Sequence, residues 1–400
     1  MGWERADPIF PWLVDIRRTI HRYPELAYRE ARTAQLIITE LERLGIPYRY
    51  DGVGSGVIGM LDGAGGKGPT VALRADMDAL PIAEATGLPF ASEIPGVMHA
   101  CGHDAHVTMV LGAAARRRED PPPGRVLLVF QPAEEQGNGA QVVLASGALD
   151  GVDAIFGGHV GHQYCTGQIM VEPGAITAQT DVFSIRVRGR GGHGARPHEA
   201  TDAIVATALL IVAIQTLISR ETNPFHPSVI TIGRMVGGSA ANVIAEDVLL
   251  EGTLRTTSPE GRRRIVNGLE RMAKASGELH NVRTVVDFQF GCPPVVNSPL
   301  ETELARSAAA KVVGEAGLAA MDYPSMGGED FSFYLEKLPG CYVRFGARRP
   351  DQPEVSLHNA QFTVDEEVLK IGAAFFEQVA RDTIAALANT VRADDHQLTP

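Results

Sequence analysis

The chain has 400 residues, 44% of them hydrophobic, and a formal net charge of −12. This length and composition allow one to three globular domains with a large core. The acidic balance argues against a nucleic-acid partner, because no surplus of Lys and Arg is present to neutralise phosphates.

The cysteines and the apolar segments predict a cytoplasmic location. The four cysteines show no paired spacing, so we expect a reduced compartment rather than a disulfide framework. The N-terminal segment lacks a basic region followed by an apolar run, so no secretory signal is expected. The longest apolar stretch, residues 203–219, contains Thr207 and Gln215 and is typical of a buried soluble helix, so no membrane partner is predicted.

Residues 1–180 alternate helical and strand patterns. An amphipathic helix is predicted over residues 30–44, and its apolar positions share one side. Further predicted elements are strands at 57–61, 70–74 and 125–130 and a helix at 106–116. The strand at 125–130 is apolar throughout, which is typical of a sheet covered on both faces. This succession predicts an α/β domain with a mostly parallel sheet.

The pattern changes near residue 181. Strands are predicted at residues 181–188, 228–232, 248–256 and 282–289, and helices at 202–220 and 259–277. The order β-α-β-β-α-β is that of a ferredoxin-like α+β sandwich. After residue 292 the α/β pattern resumes. We therefore predict one domain from residues 1–180 and 293–400, with residues 181–292 inserted in it.

Four short segments concentrate side chains that bind metals. They are His99–His106 (HACGHDAH), Gln131–Glu135 (QPAEE), Gly158–Val160 (GHV) and Leu357–Asn359 (LHN). Thiolate, imidazole and carboxylate together suit zinc or another first-row divalent ion. Several of these positions directly follow predicted strands, where open α/β sheets place their sites.

Each of these segments alone has an ordinary structural explanation. A single histidine commonly serves in structural hydrogen bonds, a buried cysteine packs as a small hydrophobe, and paired glutamates often start a solvated helix. The joint occurrence at strand ends carries the prediction. Glu134 and Glu135 also need a nearby cation if both are to be ionised. A metal supplies that cation and leaves one carboxylate free as a base.

At this point the sequence resembles a known family. The motifs are Arg17–Leu26 (RRTIHRYPEL), Arg74–Pro81 (RADMDALP), Cys101–Asp104 (CGHD), Gly191–His198 (GGHGARPH), Asn242–Ile244 (NVI), Gly252–Arg255 (GTLR) and Gly327–Phe331 (GGEDF). In this order they resemble the metallopeptidase M20 family, in its branch of N-acyl-amino-acid amidohydrolases. The likeness covers nearly the whole chain and implies a zinc-peptidase-like catalytic domain with an inserted dimerisation and lid domain.

The resemblance also implies roles in the catalytic domain. Two divalent ions per subunit, zinc or else manganese, cobalt or nickel, would share the Cys101 thiolate, with His103, Glu135, His159 and His358 completing their shells. The enzyme would hydrolyse the amide bond of N-acyl or N-aroyl amino acids, with Glu134 as the general base that accepts a proton from the attacking water. Much of the family has a His-x-Asp motif where this chain has Arg74-Ala75-Asp76, so His103 takes that ligand's place. Asp76 would support catalysis by orienting a ligand, or it is a structural acceptor for Arg74 or a helix cap.

In the inserted domain, the resemblance implies that His193 reaches the partner subunit's active site and stabilises the oxyanion. Asn242 and Arg255 match positions that bind the substrate carboxylate or the tetrahedral intermediate, although Arg255 also fits an ordinary surface strand residue. A site completed in this way implies a homodimer, or a tetramer built from it, acting on small molecules.

Two departures and three alternatives remain open at this stage. Gln136-Gly137-Asn138-Gly139 replaces a run of glycines, and Val160-Gly161 replaces a Trp-Pro pair, with His162 and Cys165 nearby. These changes affect no predicted ligand but leave the acyl group undefined. The alternatives are a dipeptidase or carboxypeptidase of the same architecture, a non-catalytic metal-binding dimer, and a cysteine hydrolase with Cys101 as nucleophile.

Overall fold

The computed structural model describes residues 7–52, 54, 56–63, 68–117 and 123–397. The chain divides into two compact units. Unit 1 comprises Met1–Gly174, Val296–Tyr323 and Asp330–Pro400, and unit 2 comprises Ala175–Val295 and Pro324–Glu329.

The elements are numbered in chain order. The strands are β1 (Tyr48–Tyr50), β2 (Val57–Asp62), β3 (Thr70–Asp76), β4 (Arg125–Gln131), β5 (Ala154–Cys165), β6 (Ile169–Met170), β7 (Gly174–Ala175), β8 (Gln179–Arg188), β9 (Gly192–His193), β10 (Ser228–Gly237), β11 (Val243–Ile244), β12 (Asp247–Thr256), β13 (Arg283–Phe290), β14 (Val296–Asn297), β15 (Leu318–Ala319) and β16 (Gly340–Arg348). The helices are α1 (Phe10–Arg22), α2 (Ala31–Arg43), α3 (His103–Arg117), α4 (Gly139–Ala145), α5 (Ala203–Thr216), α6 (Pro259–His280), α7 (Pro299–Val313), α8 (Ser332–Leu335) and α9 (Glu367–Gln397).

Unit 1 is built on an eight-stranded sheet in the order β1-β2-β4-β3-β5-β16-β6-β15. The neighbours β4, β3, β5 and β16 run parallel to one another, while β2 joins β4 antiparallel at one side. The predicted α/β domain with a mostly parallel sheet is confirmed. Strand β4 is buried from its second residue to its last, as its unbroken apolar run predicts.

Two helices of unit 1 illustrate how the local sequence sets the fold. In α2, Ala34, Ile37, Ile38 and Leu41 recur at helical spacing and are buried. Helix α3 begins at His103, three residues earlier than predicted, because Gly102 adopts a φ of +90° that allows the chain to turn into it. The extra turn brings His103 into the helix and ahead of its apolar run.

Unit 2 contains a four-stranded antiparallel sheet in the order β10-β12-β8-β13. In sequence order this is second, third, first and fourth strand, with α5 after the first and α6 after the third, so the predicted ferredoxin-like arrangement is confirmed. The Asp202 side chain accepts hydrogen bonds from the first-turn amides of α5, and Ser258 does the same for α6.

Helix α5 is apolar on all sides. Ala206, Leu210 and Ile214 pack in the core of unit 2, but Val205, Leu209 and Val212 are exposed. Of the described residues, the segment Ala203–Glu221 alone is long and apolar enough to cross a membrane. One such helix is weak evidence for a membrane protein, since core helices pass the same test.

Candidate active site

The candidate site forms at one end of the unit 1 sheet. Strand β3 ends at Asp76, β4 ends at Gln131 just before the glutamate pair, and β5 carries His159. Beyond residue 73, β3 is no longer paired with β5. Side chains from the loops can therefore enter between the strands, as expected at the carboxyl ends of parallel strands.

Cys101 occupies the centre of the predicted ligand set. Its Sγ atom lies 3.2 Å from Nε2 of His159 and 3.3 Å from Nε2 of His358. His358 comes from the loop after β16, where a φ of +62° turns its side chain toward the cysteine. Donor atoms within 4.8 Å of one another form two sets of three that share Cys101, one with His103 and His159 and the other with Glu135 and His358.

The glutamate pair lies beside the same donors. Nε2 of His103 is 3.9 Å from an oxygen of Glu134 and 4.0 Å from Oε1 of Glu135. Oε1 of Glu135 is also 3.3 Å from Nε2 of His358. The structure thus brings the five predicted ligands and Glu134 close together.

Hydrogen bonds to the backbone fix which nitrogen two of these histidines present. Nδ1 of His103 donates to the carbonyl of Asp78 at 2.8 Å, and Nδ1 of His159 donates to the carbonyl of Val160 at 2.7 Å. A carbonyl can only accept, so Nδ1 carries the hydrogen in both rings. Both Nε2 atoms then face the cluster, in the orientation usual for metal-binding histidines.

His106 lies in the first of the four segments, and the sequence interpretation assigned it no role. Its Nδ1 donates to Asp76 at 2.6 Å, and its Nε2 accepts from the amide of Val160 at 3.0 Å. Both ring nitrogens are therefore engaged within the protein. Its position three residues after His103, on the same face of α3, was the available clue.

Asp76 and Asp78 lie next to the ligands. Asp76 forms a buried ion pair with Arg74 at 2.6 Å, and its Oδ2 is 3.8 Å from Nε2 of His103. The two oxygens of Asp78 accept hydrogen bonds from the backbone amides of Glu134 and Glu135, each at 3.0 Å. Asp78 therefore holds the glutamate pair in position, a role that the sequence interpretation did not assign.

Asp76 belongs to a network of hydrogen-bonded side chains that also includes Arg74, Gln131 and Asp330. Arg74 also donates to Asp330 at 2.8 Å and to Gln131 at 2.9 Å, and Gln131 in turn donates to Asp330. All four side chains are buried. The network fixes the ends of β3 and β4, from which the ligand loops depart.

Burial and charge shift the pKa values of the ligands. Burial raises the pKa of the Cys101 thiol well above its usual value and lowers that of His159 well below. Burial alone would lower the pKa of His103, but the negative charges of Asp76 and Cys101 and the contact with Asp78 together outweigh it and raise that pKa well above its usual value. The acidic surroundings thus favour positive charge at Nε2 of His103.

The donor set fits divalent cations. Among the described residues, Nε2 of His103 and Oε1 of Glu135 are buried and have no hydrogen-bond partner. Buried polar atoms rarely remain unpaired, so both atoms fit the role of ligands to a cation. A cation would satisfy them and would also stabilise the Cys101 thiolate, which burial otherwise disfavours.

The predicted residues of unit 2 fall into two places. His193 pairs with Val243 in a two-stranded ribbon, next to Asn242. Nδ1 of His193 accepts from the amide of Ala195 at 3.1 Å, so its hydrogen is on the exposed Nε2. Arg255 pairs with Thr180 at the start of β8, whereas His193 follows the end of that strand, so Arg255 lies at the opposite end of the sheet, roughly 25 Å away along β8.

Residues 72–382 match the model of peptidase family M20/M25/M40. The chain belongs to this family. It is 40% identical over 367 residues to the N-acetyl-L-cysteine deacetylase of Bacillus subtilis, covering 91% of this chain and 86% of that protein. It is 38% identical over 383 residues to IAA-amino acid hydrolase ILR1-like 4 of Arabidopsis thaliana, covering 94% and 86%.

A solved structure agrees with this membership. The YXEP protein of Bacillus subtilis, described as a dinuclear metal binding peptidase from the M20 family, superposes with a TM-score of 0.82 at 32% identity, covering 95% of this chain and 99% of that one. The chain is therefore a metal-dependent amide hydrolase of the M20 family. This membership confirms the predicted family and reaction class. It supports a metal-dependent hydrolase over the two alternatives considered above, the cysteine hydrolase and the non-catalytic dimer.

Proposed function

We propose that this M20 hydrolase cleaves the amide bond of N-acyl or N-aroyl amino acids, releasing a carboxylic acid and an amino acid. The observation that carries the proposal is the second carboxylate. Glu135 lies within 3.3 Å of His358 in the ligand set, whereas Glu134 sits 3.9 Å from His103 as an additional carboxylate. Two relatives named for the hydrolysis of N-acetylcysteine and of amino-acid conjugates support this substrate class.

The residues divide the chemistry as follows. Cys101, His103, Glu135, His159 and His358 would hold two divalent ions, with Cys101 shared between them, and bound ions lower the pKa of water and polarise the amide carbonyl. Glu134 accepts the proton of the attacking water and delivers it to the leaving nitrogen. Asp78 keeps Glu134 in place through its backbone amide, and Asp76 maintains the orientation of His106.

A hydrolysis panel tests the substrate class. Purified protein reconstituted separately with zinc, manganese, cobalt and nickel is assayed on N-acetyl, N-benzoyl and indole-acetyl amino acids and on dipeptides. N-acyl amino acids should give the higher kcat/KM with at least one ion. Preference for dipeptides with every ion would favour the runner-up, a peptidase like the YXEP relative.

Glu134→Gln isolates the proposed base. Turnover should be abolished while the metal content stays near that of the wild type, because the amide keeps the shape but cannot accept a proton at neutral pH. Glu135→Gln is the matched control, and it should lower the metal content. Loss of metal from the Glu134 variant instead would mean that the two roles are exchanged.

We further propose that the protein is a homodimer formed through unit 2. Strand β10 is an edge strand with exposed Met235 and Val236, and Val212 of α5 is 68% exposed. A helix that is apolar all round needs cover on both sides, and a second copy supplies the same surface by two-fold symmetry. Val212→Glu should convert the dimer to a monomer in light scattering, and an unchanged mass would contradict this interface.

A dimer also explains the separation of the candidate substrate residues. His193 and Asn242 lie at one end of the unit 2 sheet and Arg255 at the other, so a pocket that uses all three draws them from two copies. His193→Ala should lower kcat in a folded dimer, since its Nε2–H is the proposed donor to the oxyanion. Mixing it with Glu134→Gln should restore about a quarter of wild-type activity through mixed dimers, and no restoration would exclude action across subunits.

The proposed location is the cytoplasm. None of the four cysteines is paired in a disulfide within the described part of the chain, which suits a reducing compartment. When cells of the native host that express a tagged copy are fractionated, the protein should be recovered with cytoplasmic markers. Recovery with secreted markers would overturn the assignment.

A further inference from the structure

Arg344 stands on the strand next to the ligand His159. In the parallel pair β5 and β16, Arg344 is directly opposite His159. Neighbouring strands are about 4.8 Å apart, and opposed residues of a parallel pair project from the same face of the sheet. The guanidinium therefore shares the face of the sheet from which His159 reaches the metal ligands.

Among the described residues, none offers an anionic partner to the guanidinium of Arg344. Its guanidinium carbon lies 5.4 Å from the centroid of the Tyr342 ring. Within the part of the chain that the structure describes, no side chain or carbonyl accepts a hydrogen bond from it, and no carboxylate pairs with it. The side chain is half-buried, and a partly desolvated cation without a counter-charge is costly unless a ligand supplies one.

The surroundings of Arg344 hold it in place. The Tyr342 ring packs 4.8 Å from that of Phe331. Both rings lie over Gly157, where an added Cβ would come within 2.8 Å of Phe331 and 2.9 Å of Tyr342. A guanidinium over a fixed aromatic face keeps its N–H groups free for a planar anion.

We propose that Arg344 binds the α-carboxylate of the amino-acid half of the substrate. The inference rests on the proposed N-acyl amino acid specificity, in which that carboxylate is two bonds from the scissile nitrogen and hence close to the metal ligands. An arginine fork matches a carboxylate in shape and charge. Arg344 is then a specificity residue contributed by unit 1 itself, in addition to the Arg255 of the sequence-based assignment.

Binding to an inactive background tests this inference. Metal-loaded Glu134→Gln protein is titrated calorimetrically with an N-acetyl amino acid and with the corresponding N-acetyl amino acid amide, with and without Arg344→Met. The second substitution should weaken binding of the acid about 10- to 100-fold, the range for a lost charge-assisted pair, and change binding of the amide less than about twofold. Arg344→Lys should retain part of the preference for the acid.

Controls separate a recognition role from a structural one. Arg306→Met, which removes an arginine already paired with Glu172, should leave both affinities unchanged. Equal loss of acid and amide binding, loss of bound metal, no detectable binding of the acid to the background, or loss of the preference in Arg255→Met but not in Arg344→Met would each overturn the inference. Failure of the proposed function appears separately, as a wild-type enzyme that hydrolyses none of the N-acyl amino acids in the panel.

Discussion

Glu30 provides a quantitative test of how burial shifts the pKa of a carboxyl group near the site. The residue is fully buried ahead of α2, and its Oε1 accepts a hydrogen bond from the amide of Ala133 at 2.9 Å, one residue before the glutamate pair. Its Oε2 is buried without a hydrogen-bond partner among the described residues. Burial raises the pKa of Glu30 from 4.5 to about 7, against the opposing effect of its backbone hydrogen bonds.

The sign of the effect follows from the two protonation states. A carboxyl group whose folded-state pKa is raised keeps its proton in the folded protein while the unfolded chain ionises, so stability falls as pH rises from about 4.5 to about 7. The full loss is about 3 kcal/mol, at about 1.4 kcal/mol per pKa unit. Of this total, about 2 kcal/mol of the free energy of unfolding is lost between pH 5.5 and pH 8.5.

Glu30→Gln removes the ionisation and leaves the shape. The free energy of unfolding of variant minus wild type, measured by urea denaturation, should therefore rise by about 2 kcal/mol between pH 5.5 and 8.5. Any fixed cost of the amide is independent of pH and cancels in this difference. Glu93→Gln, at a side chain 57% exposed, should show no such rise. A difference for Glu30→Gln that is constant over this range would refute the assignment of a buried, protonated carboxyl group.

Three further substitutions address the geometry of the ligand loops. Gly102→Ala should lower both metal content and melting temperature, because its φ is +90° and the new Cβ would lie 2.4 Å from a methyl group of Val160; an unchanged melting curve would contradict that crowding. Asp78→Asn should weaken metal binding about 10- to 100-fold in chelator competition, since one amide hydrogen bond to the glutamate pair is lost, and unchanged affinity would make Asp78 dispensable. Cys101→Ser should reduce the metal bound per subunit in elemental analysis, and full retention would remove the thiolate from the ligand set.

The sequence predicted those features that depend on local patterns. The stripe of Ala34, Ile37 and Leu41 identified α2, and the β-α-β-β-α-β order identified the ferredoxin-like fold of unit 2. Local chemistry also indicated the four segments that carry thiol, imidazole and carboxylate groups, and the family resemblance selected the ligands among them. The start of α3 was misplaced because Gly102, in a sequence, does not reveal its positive φ.

The supporting residues could not be predicted, because they depend on pairing between distant segments. Arg344 matters through its register with His159, which lies 185 positions earlier in the chain. The role of Asp78 depends on where β4 ends relative to β3, a fact of sheet order rather than of composition. The sequence indicates which residue types a reaction needs, whereas the register of the strands determines which individual residues of those types come into contact.

The histidines show how hydrogen bonding separates ligands from supports in this chain. In His103 and His159, Nδ1 donates a hydrogen bond to a backbone carbonyl and Nε2 faces the cluster. His106 lies 5.5 Å from the ring of His103 and 4.6 Å from that of His159, yet both its nitrogens are occupied, by Asp76 and by the amide of Val160. Because a neutral imidazole has one donor and one acceptor, His106 has no lone pair left for a metal. Its contribution is to join the end of β3 to the middle of β5. Proximity to the cluster is therefore not enough to make a histidine a ligand, because a ligand also needs a ring nitrogen with a free lone pair.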